Sequence, residues 1–318
     1  MAETLANAWL VAVLAGVHIS AGALTMRFIH LTTGGRWGDR LRPSLTALAA
    51  TLPVFLALLV PLFFVLPVLF PEWAGAEPEP GSILAKKSAY LSITPFIIRE
   101  SIVLLVIAAL AIVTVRADRR GTATPRLGVI GLLTLTLAMF PFAVDWIMAL
   151  EPHWISTAFP AILMVAQAVA GYSAALVLDA VHRDPPEKSV ARPLSNLLLA
   201  LIVFWSYVVF AQFLIIWSGD QPHEIEWYRL RSTPFWTGVV ITLALCHLAL
   251  PFFLLIFTPF KLRPRRVAVL AGVLLGCQLL YLVWLVAPGA VHASAAALLY
   301  PVGITLTLAG LGWKTTHV

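Results

Sequence analysis

Charge is what this sequence has least of. Only 11% of its 318 residues are Asp, Glu, Lys or Arg, while 60% are hydrophobic and the mean hydropathy is +0.93. A water-soluble domain of that length cannot cover its surface with so few ionised groups, and apolar runs near or above about 20 residues mark spanning helices. The short alternating segments of about ten residues that a membrane barrel needs are missing. The expected fold class is therefore all-α: a polytopic transmembrane helical bundle. Cysteine is scarce as well. Cys246 and Cys277 both lie in apolar runs and read as packing residues. Two thiols cannot build a four-cysteine iron–sulfur or zinc site, and without Cys-x-x-Cys-His there is no covalent haem. No phosphate loop, nucleophile elbow or His-Glu-x-x-His pattern occurs, so hydrolase chemistry has no support. No Lys/Arg run is interleaved with aromatics, so the net charge of +6 is not the footprint of a nucleic-acid partner. The opening Met-Ala-Glu-Thr lacks a basic stretch, and the first apolar run reads as a retained helix rather than a cleaved signal.

What is present is a series of apolar runs. Turn and charge punctuation divides the chain into about nine spans, near 5–30, 46–71, 91–115, 127–150, 157–181, 193–218, 234–258, 266–287 and 292–313. No linker splits it, so one integral membrane domain is expected over 1–318. The second run carries Pro53, Pro61 and Pro67, which predict a kink or tilt. Basic residues fall on one side. The links after the first, third, fifth and seventh runs hold Arg36, Arg40 and Arg42; Arg116, Arg119, Arg120 and Arg126; Arg183, Lys188 and Arg192; and Lys261, Arg263, Arg265 and Arg266. The opposite links hold only Lys86, Lys87, Arg229 and Arg231. This asymmetry predicts the N-terminus outside and the C-terminus inside.

The outer side is acidic and aromatic. Within 219–233, Gly219-Asp220-Gln221-Pro222 reads as a helix start, with Glu224 and Glu226 early and Arg229 and Arg231 late, an order that complements the helix dipole. A short interfacial helix is expected there, with Trp217, Trp227 and Tyr228 as headgroup-level anchors. Ionisable residues inside spans are costly and are functional candidates by default. Arg99 and Glu100 in the third run and Asp145 in the fourth lie at a similar depth, so Arg99 and Asp145 can pair across helices while Glu100 needs another partner. A structural ion pair and a role in a proton path or quinone contact both fit those residues. Asp145-Trp146-Ile147-Met148-Ala149-Leu150-Glu151-Pro152-His153-Trp154 concentrates carboxylates, a histidine and indoles at the outer interface. Hydroquinone oxidation needs a proton acceptor beside an apolar slot, which Asp145, Glu151 and His153 could supply; interface capping explains the same residues without chemistry. His18 and His247, near the middle of the first and seventh runs, are the only pair suited to a b-type haem. A lone histidine per helix is more often a hydrogen-bonded core residue.

Two longer stretches resemble a known family. Asp145 to Thr157, reading Asp-Trp-Ile-Met-Ala-Leu-Glu-Pro-His-Trp-Ile-Ser-Thr, is similar to the most recognisable motif of the F subunit of bacterial alternative complex III. Gln212 to Tyr228, with Gly219-Asp220-Gln221-Pro222 and the Trp227-Tyr228 pair, resembles its second. Lys87-Ser88-Ala89-Tyr90-Leu91 with Phe96-Ile97-Ile98-Arg99, and Gly34-Gly35-Arg36-Trp37 with Leu41-Arg42, follow in family order. The resemblance implies an integral subunit of a quinol:electron-acceptor oxidoreductase in a bacterial cytoplasmic membrane, related to polysulfide-reductase-type subunits. It implies iron–sulfur and multihaem cytochrome c partner subunits, a sister integral subunit as the better candidate for the quinol site, a scaffold or proton-path role for this chain, and no metal or haem on it; contact with quinone stays an open reading of Asp145, Glu151 and His153.

The sequence departs from that pattern in three places. About ten spans are expected of the family where nine are read here. His223 stands where the family has an acidic residue after Pro222, and Pro43, Ser44 and Leu45 follow Arg42 without the family's acidic residue. Two other readings remain beside the complex subunit: a stand-alone membrane transporter or carrier, and a b-type cytochrome using His18 and His247.

Overall fold

The computed structural model describes residues 2–288, apart from the side chains of Ala2 and His223. Among the described residues there is no strand, and eight helices are long and apolar enough to cross a membrane. They are α1 (Glu3–Thr33), α2 (Arg36–Leu69), α3 (Ile93–Arg119), α4 (Pro125–Leu150), α5 (Phe159–His182) and α6 (Lys188–Gly219), then, after the short helix α7 (Pro222–Arg229), α8 (Pro234–Ile256) and α9 (Pro264–Val286). The protein is an all-α, multi-pass integral membrane protein. The run at 292–313, expected as a ninth span, lies outside the described residues.

The starts of these helices are written locally. Thr124 and Thr233 precede Pro125 and Pro234, and each threonine hydroxyl accepts a backbone N–H of the first turn, Leu127 at 3.3 Å and Trp236 at 3.5 Å. Proline at the first helical position loses no bond there, because that N–H would be unpaired anyway. The turn between α1 and α2 corrects the sequence reading. It consists of Gly34 and Gly35 alone, at φ 68° and 105°, a left-handed backbone that favours glycine. Arg36, Arg40 and Arg42 therefore sit on the first turns of a helix rather than in a loop. The prolines act as expected further along. Helix α2 breaks after Ala49 into Leu52–Ala57, a tight 3₁₀ stretch Val60–Val65 and Leu66–Leu69. Each of Pro53, Pro61 and Pro67 removes a backbone donor.

Helix α1 is the centre of the bundle: 89% of its most apolar stretch is buried, against 72% in α5 and α9 and 28–39% elsewhere. It packs mainly against α5 and α4, and α9 packs against α5 and also meets α1. The α1–α5 crossing is set by two glycines. A Cβ on Gly22 would overlap the Gln167 carbonyl, and one on Gly171 would overlap the backbone at Gly22–Ala23. Small residues let helix backbones approach this closely in a membrane, where packing rather than expulsion of water holds helices together. The outer faces of α3, α4, α6 and α8 expose large apolar side chains, among them Leu105, Leu133, Phe210 and Phe253. In a spanning bundle that surface belongs to lipid.

Candidate functional site

At the end of the bundle expected to face outward, the charges resolve into separate pairs. Arg99 and Asp145 form a two-pronged pair between α3 and α4, Nε–Oδ2 2.6 Å and Nη2–Oδ1 2.9 Å. Asp145 is fully buried. The Arg99 guanidinium also lies over the Tyr90 ring, 3.7 Å from its centroid. Glu100 is buried beside this pair: it accepts the Trp146 indole N–H at 2.5 Å, and its carboxyl lies within interaction distance of Asp145 and Arg99. Around these groups Phe63, Phe70, Trp73 and Phe96 pack on Trp146 and one another.

Glu151 takes a different partner. Arg231 Nη2 donates to its Oε1 at 2.6 Å and Nη1 to its Oε2 at 3.1 Å. The guanidinium is almost wholly enclosed, stacks over Trp227 at 3.7 Å, and also donates to the carbonyls of Trp227, Trp284 and Leu285. Burial raises the Glu151 carboxyl above its ordinary value, and Arg231 partly opposes that rise. Burial likewise lowers the Arg231 guanidinium, opposed by Glu151. His153 joins neither pair. It is half exposed and faces Glu72 at 3.1 Å. Asp145, Glu151 and His153, adjacent in one run, thus belong to three distinct pairings rather than one cluster.

The 219–233 segment forms the expected short helix α7, with Asp220 in the left-handed region at φ 47°, ending α6. Glu226 and Arg229 pair on the surface at 2.7 Å, and Glu224 lies in the first turn of the helix. Two expectations for this segment are corrected. Trp227 is not a headgroup anchor but a buried ring, stacked on Trp154 with centroids 4.6 Å apart. Arg231 is not a surface cation but the enclosed partner of Glu151. Trp217 is exposed as expected, and Tyr228 is half-buried.

These contacts join the two recognisable runs. Trp154 of the first lies on Trp227 of the second, and Ser156 Oγ donates to Gln212 Oε1 at 2.9 Å. The 72–90 loop closes the same layer: Trp73 donates to the Ala149 carbonyl at 3.0 Å, and Lys87 donates to the Pro152 carbonyl.

Mid-membrane, His18 and His247 both turn to Gln278. His18 Nε2 lies 3.4 Å from the amide oxygen and His247 Nε2 lies 2.8 Å from the amide nitrogen. His247 sits in a π-helical turn, Ala244–Ala249, of the kind that recurs at functional sites. Both Nε2 atoms therefore face one glutamine side chain, while both Nδ1 atoms are buried without a hydrogen-bond partner among the described residues. Among the described residues no group of three or more His, Cys, Asp or Glu is placed to hold a metal ion.

Sequence reasoning missed the opposite end of the bundle. Arg27 and Asp118 form a buried pair at 2.8 Å and 2.5 Å, joined by Thr46, and Arg40 pairs with Asp179 at 2.9 Å. The signal was a lone arginine near the end of the first run and a lone aspartate among the arginines after the third. No protein-family model matches the chain, and no curated protein matches it.

Proposed function

We propose that this protein is an integral subunit of a quinol:electron-acceptor oxidoreductase in a bacterial cytoplasmic membrane, of the kind represented by the F subunit of alternative complex III. Electron carriers belong, on this reading, to iron–sulfur and multihaem cytochrome c partner subunits. This chain supplies a membrane scaffold, contact with quinol, and ionisable groups near the outer surface.

The observation that supports the reading is the joining of the two resembling runs. They lie more than fifty positions apart, yet Trp154–Trp227 stacking and the Ser156–Gln212 bond build them into one layer, and just beyond the second run Arg231 pairs with Glu151 of the first. Motifs that share one packed layer are constrained together. A distinctive pair of runs scattered over unrelated loops would lend the resemblance less weight.

Affinity purification of the tagged chain from its native membranes in mild detergent tests this. Multihaem and iron–sulfur proteins in fixed ratio to the chain are the expected companions. Purification alone, with a solute-transport activity in vesicles, would overturn the proposal in favour of a carrier.

A further inference from the structure

Between α6, α7, α8 and α9 lies a cavity of about 500 Å³, within the range of sites that enclose a drug-sized molecule. Its walls are almost wholly apolar, supplied by Trp205, Val209, Phe213, Leu243, Leu248 and Trp284. On the lipid-facing side Phe210, Phe213 and Val240 are 61%, 41% and 43% exposed, so the cavity opens sideways into the membrane.

Part of the wall is polar: Ser206, Ser232 and Thr237 contribute hydroxyls, and Gln212, Tyr228 and Tyr281 the longer groups. Tyr228, Tyr281 and Arg231 lie within electrostatic reach of one another. The Gln212 amide engages the Tyr228 oxygen while its own oxygen takes the Ser156 hydroxyl, which leaves the phenol proton free. Burial raises the Tyr228 phenol, so it stays protonated at neutral pH. Tyr281 is 3% exposed, and among the described residues its hydroxyl has no hydrogen-bond partner. The buried indole N–H groups of Trp205 and Trp284, which share the lining, also lack one. The two phenols and the two indoles can donate, whereas the Arg231 donors are already taken by Glu151 and three carbonyls, and a buried indole left unpaired costs stability. A ligand that completes the site must bring acceptors on a flat apolar body.

We propose that this cavity is a binding site for a lipid-soluble quinone, entering between α6 and α8 with its carbonyl oxygens towards Tyr228 and Tyr281. A quinone ring offers two in-plane acceptors, flat faces for the surrounding indoles, and a chain that stays in lipid. A phospholipid acyl chain fills an apolar slot but supplies no acceptor. The inference rests on the quinol reading above and locates it on this chain.

The indoles lining the cavity give the readout. The full chain in nanodiscs is titrated with decylubiquinone and menadione while tryptophan fluorescence is followed. Saturable quenching is expected, weakened about tenfold by Tyr281→Phe, the loss of one hydrogen bond. Val240→Phe, which narrows the mouth, should abolish it with the unfolding temperature unchanged. An azido-quinone should label peptides from 205–248 or 275–286 in the unaltered protein, so the proposal does not depend on either variant folding. Non-saturable quenching, identical quenching in both variants, or label confined to other helices would each overturn the site. Quenching by bromo-acyl phosphatidylcholine that quinone does not displace would assign the cavity to lipid and overturn it too. Loss of this site with redox partners still copurifying leaves the complex-subunit reading intact; quinone binding without those partners overturns that reading instead.

Discussion

Arg231 and Glu151 meet across 80 positions of sequence at 2.6 Å, with the guanidinium side chain 1% exposed and the carboxylate 12% exposed. That single pair ties the link between α4 and α5 to the segment after α7. Replacing Arg231 by Gln strands a buried carboxylate, and breaking such a pair costs roughly 3–5 kcal/mol. Thermal unfolding in nanodiscs should show the loss. A surface pair such as Glu226–Arg229 offers the control: Arg229→Gln should change stability by less than about 1 kcal/mol.

The same pair carries a pH signature. The folded Glu151 carboxyl is raised above its ordinary 4.5, chiefly by burial, so the fold holds this proton to higher pH than the unfolded chain does. Its contribution to stability is complete below 4.5 and is lost as pH rises through the folded value. Arg231 is the main force opposing that rise. Arg231→Gln should therefore move the carboxyl's infrared titration to higher pH, and a shift to lower pH would contradict the assignment.

Asp145 is bound to Arg99 at two points and is fully buried, which predicts a mainly structural role. Asp145→Asn removes the two-pronged partner of Arg99, leaving Glu100 as its remaining acidic neighbour, and should destabilise by up to roughly 3–5 kcal/mol. Replacing both, Arg99→Met with Asp145→Leu, should recover most of that loss. A fully stable Asp145→Asn protein with slowed quinol turnover would instead mark Asp145 as a proton-handling group.

Gly22 lies against the Gln167 carbonyl, and any side chain there separates α1 from α5. Gly22→Leu should abolish folded protein, whereas Gly276→Leu, with nothing near its Cβ among the described residues, should be tolerated. Expression and monodispersity after detergent extraction distinguish the two.

The helical fold was legible because composition alone leaves few alternatives to spanning helices, and Arg99–Asp145 was legible because both residues interrupt apolar runs at one depth. Arg231 was not. Its place after Arg229 in a polar loop looks like any surface cation, and only the return of the chain between Trp227 and Trp284 encloses it. Arg27 and Asp118 were hidden for a related reason, because positive charge near inner helix ends is expected as a topology signal and masks a partner. The cavity was invisible to periodicity, since it arises where four segments fail to fill the space between them.

If the chain belongs to a quinol-oxidising assembly, as we propose, the turnover of that assembly depends on it. Quinol:cytochrome c reductase activity in membranes from a strain lacking this chain tests this most directly, with the intact chain restored from a plasmid. The account predicts activity lost on deletion and regained on complementation. Unchanged activity in the deletion membranes would contradict it.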